Sequence, residues 1–169
     1  MKFQTNSALG EYINRWGCHI CSILEKVEIL SARIGKPLKF ANSDVCAIYQ
    51  EAMRRGAVQQ EVDVAGKPFD GCSILDGAEL FNLACELFSV PLKAVGYRKE
   101  GASYVTTPDE EEILELNRGG YNGSHFVSGN GKTGVMLKDE IEFDPIEGGS
   151  KCAAVGWIKS KRILTWRKK

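Results

Sequence analysis

Between residues 17 and 34, six apolar side chains recur at three- and four-residue steps: Ile20, Ile23, Leu24, Val27, Leu30 and Ile34. That spacing places them on one face of an α-helix running to about Ile34, and this helix is the element around which the chain is organised. Gly17 stands at its start, where glycine lets the backbone turn sharply and approach other groups closely. Cys18 follows, nearly opposite the apolar stripe. A thiol at a helix N-terminus meets free N–H groups and the positive end of the helix dipole, which favour the nucleophilic thiolate. The alternative for Cys18 is a small buried hydrophobe.

The remaining punctuation predicts helices first and strands later. Gly35-Lys36-Pro37 stops the first helix, and Asn42-Ser43-Asp44 caps a second that runs to about Arg55 with Val45, Ile48, Tyr49, Ala52 and Met53 as its stripe. Val58, Val62 and Val64 alternate like a short strand. Asp76-Gly77-Ala78-Glu79 resembles a capping box before a third helix to about Phe88, with Leu80, Leu83, Ala84 and Leu87 facing inward. Residues 92–97 read as a strand. Thr107-Pro108 and the carboxylates after it predict a short acidic helix over about 108–117. Then come strands at Tyr121 to Ser128, Thr133 to Leu137, Glu140 to Phe143, Val155 to Ile158 and Arg162 to Trp166, with Gly129-Asn130-Gly131-Lys132 as a hairpin turn. Helices followed by an antiparallel sheet make an α+β pattern in one domain, 1–169.

Lys plus Arg equals Asp plus Glu, 22 against 22, which argues against nucleic-acid binding driven by bulk charge. The basic runs Lys159-Ser160-Lys161-Arg162 and Arg167-Lys168-Lys169 are expected to be a solvated strand edge and tail rather than a phosphate site. No apolar run is long enough to span a membrane, so no membrane partner is expected. The first residues, Met1-Lys2-Phe3-Gln4, hold no apolar signal core, so a cytoplasmic location is expected. The six cysteines (Cys18, Cys21, Cys46, Cys72, Cys85 and Cys152) are then reduced.

A cysteine nucleophile needs a base, and the base needs a group to orient it. There are two histidines. His19 is adjacent to Cys18 on a helix and points away from it. His125, near the start of a strand, is therefore the candidate base. Asp144, in Phe143-Asp144-Pro145 at the end of a strand beyond the hairpin, is the candidate orienter, because neighbouring strands lie close enough for the two side chains to meet. Pro145 fixes the chain as it leaves the sheet.

With these residues the chain resembles the papain-like cysteine peptidases, specifically the double-glycine-leader, bacteriocin-processing type and its phage and bacterial relatives. Gly17-Cys18 opening the first helix, His125-Phe126-Val127 opening a strand and Asp144-Pro145-Ile146 closing one carry the resemblance. So do Gly149-Ser150, Gly156-Trp157-Ile158 and Arg162-Ile163 in the tail. It implies a papain-like fold, with Cys18 as nucleophile, His125 as base and Asp144 as orienter, hydrolysing the amide of a peptide or protein, or of a cell-wall peptide, without cofactor or metal. Such enzymes usually carry a Gln shortly before the Cys to bind the oxyanion. Here no Gln lies between Gln4 and Cys18, and Asn14 is the nearest amide side chain and the candidate for that role. One lost oxyanion donor costs roughly 10²–10³ in rate. No ATP-binding region accompanies these motifs, so a transporter-linked leader peptidase is not implied.

Two other readings use the same residues. A catalytically weak relative would bind peptides or a partner protein. Cys18-His19-Ile20-Cys21 is also a C-x-x-C, the spacing of a redox pair, although no strand precedes it. A zinc site would need ligand spacing that Cys46, Cys72, Cys85 and Cys152 lack.

Overall fold

The apolar stripe becomes helix α1 (Cys18–Arg33), and it is buried far beyond that stripe: Ser22, Lys26, Glu28 and Ser31 are enclosed along with Ile20, Ile23, Leu24, Val27 and Leu30. Each of those five apolar side chains contributes about 1.5–3 kcal/mol by leaving water. Gly35 ends α1. Its φ is +78°, and its N–H and that of Lys36 reach back to the carbonyls of Ala32 and Ser31 at 3.0 and 2.8 Å, which closes the helix as a left-handed glycine cap.

The computed structural model describes residues 13, 17–59, 65, 73–117, 124–132, 137–146 and 157–169. After α1 come α2 (Asn42–Arg54), the short paired strands β1 (Val58–Gln59) and β2 (Ser73–Ile74), and α3 (Gly77–Leu87). Then follow β3 (Leu92–Glu100), β4 (Glu110–Asn117), β5 (Ser124–Gly129), the helical turn α4 (Leu137–Glu140), β6 (Ile141–Phe143) and β7 (Trp157–Lys168). Asp76 caps α3 by accepting the Glu79 N–H at 2.9 Å. The cap of α2 is one residue earlier than expected, at Ala41, whose N–H donates to the Asp44 carboxylate.

Five strands form one antiparallel sheet in the order β3-β7-β4-β5-β6. The α+β expectation therefore holds at that level. α1 lies against the sheet, in one core with α2 and α3.

Several local expectations are overturned. The acidic helix over 108–117 is strand β4, flanked by β5 and β7. Its glutamates suggested a helix start, but each has a partner far away in sequence. Register and strand alternation put Glu111, Ile113 and Glu115 on the α1 side, and Glu112, Leu114 and Leu116 on the other. Glu111 meets Lys26 and Arg33, and Glu115 meets Arg162, Ser124 and Ser160. On the opposite face Glu112 and Glu140 share the fully buried Lys161.

Lys159–Arg162 is consequently no solvated edge, with Ser160 and Lys161 buried, whereas Arg167, Lys168 and Lys169 are exposed as expected. The 159–162 run belongs to β7, an interior strand continuous from Trp157 to Lys168 rather than two pieces. Leu87, expected inward, is 47% exposed at the end of α3. Leu137 and Glu140 belong to a helical turn rather than to strands. The expectations for Val62, Val64, Tyr121, residues 133–136 and Val155 lie outside the described residues. No helix among the described residues is long and apolar enough to cross a membrane.

Candidate active site

Cys18 is the first residue of α1 and is partly buried. Its placement depends on Gly17. A Cβ there would lie 2.5 Å from the Ile13 carbonyl oxygen, which accepts the Gly17 N–H at 3.0 Å, so the chain turns into the helix through a contact only glycine fits.

His125 sits near the start of β5, opposite Leu116 on β4, and is 2% exposed. Asp144 follows β6 directly, and β6 pairs with the far end of β5 at Ser128 and Gly129. The chain leaving β6 brings the carboxylate to the ring: His125 Nε2 and Asp144 Oδ1 are 2.7 Å apart. The same oxygen accepts the Ile146 N–H at 2.9 Å, closing a small turn over the buried Pro145. That turn fixes the carboxylate, and proline stiffens it.

The Cys18 side chain is the other group that acts on the His125 ring, and like Asp144 it favours the charged form. With Nε2 engaged by Asp144, Nδ1 is the ring nitrogen left for the sulfur. Burial works against a charge on this ring, but the hydrogen bonds to Asp144 and Cys18 and the negative charge of those partners outweigh it, lifting the pKa to about 9. The ring therefore carries its proton at neutral pH.

His19 is in the opposite state. Burial and the nearby Arg162 charge push it down to about 3, so it stays neutral. Its ring stacks on Phe126, with centroids 4.0 Å apart and planes 6° from parallel, and its Nε2 shares a hydrogen bond with Tyr97 Oη. This is the part that sequence reasoning set aside. Adjacency to Cys18 excluded His19 as a base, and nothing local in the sequence gave it another task.

Cys21 is fully buried in the core. Cys46 and Cys85 have thiols raised by burial, Cys85 to about 12. Asn14, Cys72 and Cys152 lie outside the described residues. Among those residues no group of three or more His, Cys, Asp or Glu is placed to hold a metal ion. A cavity of about 300 Å³ opens beside Arg33, Glu110, Glu111 and Glu142, at the other end of α1 from Cys18. Its carboxylates are paired with Lys26, Arg33 and Arg98.

The arrangement brings a thiol at a helix N-terminus close to a charged imidazole that is hydrogen-bonded to a carboxylate. No family model, curated protein or solved structure matches the chain.

Proposed function

We propose that the chain is a cysteine peptidase or amide hydrolase of papain-like type. The observation that carries the reading is His125 held between Cys18 and Asp144, with its Nε2 on the carboxylate and its charge sustained by both partners.

The reaction is acyl transfer to sulfur followed by hydrolysis. Cys18 Sγ, as thiolate, attacks the amide carbonyl carbon and forms the C–S bond. The oxyanion that develops faces the Cys18 backbone N–H at the start of α1, where the helix dipole favours negative charge. His125 then gives its proton to the leaving nitrogen, the C–N bond breaks and a free amine departs. Neutral His125 takes a proton from water as the water attacks the thioester. The acid product leaves, and the thiolate and imidazolium are restored. Asp144 holds the ring orientation and stabilises the charged ring throughout. The substrate is a peptide, a protein or a cell-wall peptide, and the chemistry is the same for each.

The test is turnover of peptide mixtures and of peptidoglycan fragments by the purified chain, read by mass spectrometry, with Cys18→Ala as control. Cleavage that disappears in Cys18→Ala, together with a peptidyl vinyl sulfone adduct mapped to Cys18, is the expected result. The absence of both turnover and adduct would sink the proposal. Peptide binding without turnover would favour the non-catalytic relative, which the lack of a Gln between Gln4 and Cys18 already makes the second choice.

A further inference from the structure

Cys18 and His19 are neighbours on a helix, and His125 and Phe126 are neighbours on a strand. Successive strand residues point to opposite faces of a sheet. The first turn of α1 nevertheless reaches both: Cys18 acts on the His125 ring, and His19 stacks on Phe126. It does so by lying along the edge of β5, which among the described residues pairs with β6 only at Ser128 and Gly129. Between the two contacts the fully buried Ser22 Oγ reaches the Phe126 carbonyl at 3.2 Å and the Cys18 carbonyl at 2.7 Å.

We propose that His19, Ser22 and Phe126 form a clamp across the edge of β5 that sets the approach of Cys18 to His125, and so act as positioning residues. This rests on the cysteine-hydrolase reading above. The lever is short, because one peptide unit of about 3.8 Å joins His19 to Cys18 and Phe126 to His125. A nearly parallel stack at 4.0 Å leaves little room to slide. The stack is itself held: Arg162 lies over the Phe126 ring at 5.6 Å, and Tyr97 Oη engages the His19 edge. His19 must be neutral in this assembly, since a charged ring would face the Arg162 guanidinium. The clamp acts through where it puts the reacting groups.

The experiment needs no substrate. Iodoacetamide alkylation of Cys18 is followed by mass spectrometry across pH in the wild-type chain and in Phe126→Leu, His19→Gln, Ser22→Ala and Phe126→Tyr, with circular dichroism to confirm folding. In the wild-type chain, labelling of Cys18 near pH 6, the acid limb of the profile, should be faster than that of the buried Cys21 and of Cys46 and Cys85, whose thiols burial raises. Phe126→Leu and His19→Gln should slow labelling there by about tenfold or more, since misplacement by about an ångström is enough for such losses. Phe126→Tyr, which keeps the ring, should restore it. Where peptide turnover is measurable, the loss should fall on kcat rather than KM. If Phe126→Leu does not fold, the His19 and Ser22 variants carry the comparison. An acid limb that survives intact in folded variants overturns the clamp alone. A wild-type chain with no acid limb overturns the nucleophile assignment, and the clamp with it.

Discussion

Asp144→Asn is close to isosteric, and its amide oxygen can still accept from His125 and Ile146 as Oδ1 does now. What it removes is charge. In the native site the His125 pKa stands at about 9 against an ordinary 6.5, after burial has pulled it the other way. That difference is on the order of 3 kcal/mol in favour of the charged ring, shared between Asp144 and Cys18. Without the carboxylate, burial should bring the ring to or below the ordinary imidazole range, so that it is largely neutral at pH 7.5. Peptide hydrolysis should fall by about two orders of magnitude, the kinetic equivalent of most of that energy.

The assay is NMR of the ring C–H groups, simple here because the chain has two histidines. In the wild type neither should titrate between about pH 5.5 and 7.5, since His19 is held near 3 and His125 near 9. In Asp144→Asn one resonance should titrate in that window. Stability carries the same signature. A base whose pKa is higher folded than unfolded contributes fully below 6.5, and the contribution is lost as pH rises through about 9. Wild-type stability should decline over that interval, and the variant should show a flatter slope. A wild-type His125 that titrates near 6.5, or a variant His125 still charged at pH 8, would refute the argument.

Lys161→Met leaves Glu112 and Glu140 buried without their shared cation. It should cost about 3–5 kcal/mol in urea unfolding at pH 7 and less near pH 4.5, where a carboxylate can take up a proton; a loss below about 1 kcal/mol at pH 7 would contradict it. Gly17→Ala places a Cβ against backbone atoms of Ile13 at the start of α1. Cys18 alkylation should slow by about tenfold in a chain that remains folded, and an unchanged rate would show that the helix start can yield.

The three long helices were legible because their apolar periodicity coincides with burial, and their ends fall within a residue or so of the expected ones. His125 and Asp144 were legible because each stands at a strand terminus with local punctuation around it. Strand β4 was not. Glu110, Glu111, Glu112 and Glu115 look like a solvated helix face until Arg98, Lys26, Lys161 and Arg162 are placed beside them, and those lie elsewhere in the chain. The available signal was complementarity: the basic run at 159–162 supplies Lys161 to Glu112 and Arg162 to Glu115, although in the ladder the acidic run at 110–112 faces Ile163–Thr165. The His19–Phe126 stack had no local signal, because it depends on how a helix lies along a strand edge.

The sheet order also fixes a schedule. β7 is the last of the described strands but lies between β3 and β4, which meet through it. A chain emerging from the ribosome thus presents β3 early and the hairpin of β4 and β5 later, with nothing to join them edge to edge. The cation that neutralises Glu112 and Glu140 also arrives only with β7. Contacts so distant in sequence are slow to close. The sheet that supports His125 is therefore completed only after synthesis has passed residue 168, and a nascent chain would carry its thiol through translation before the scaffold behind it is finished.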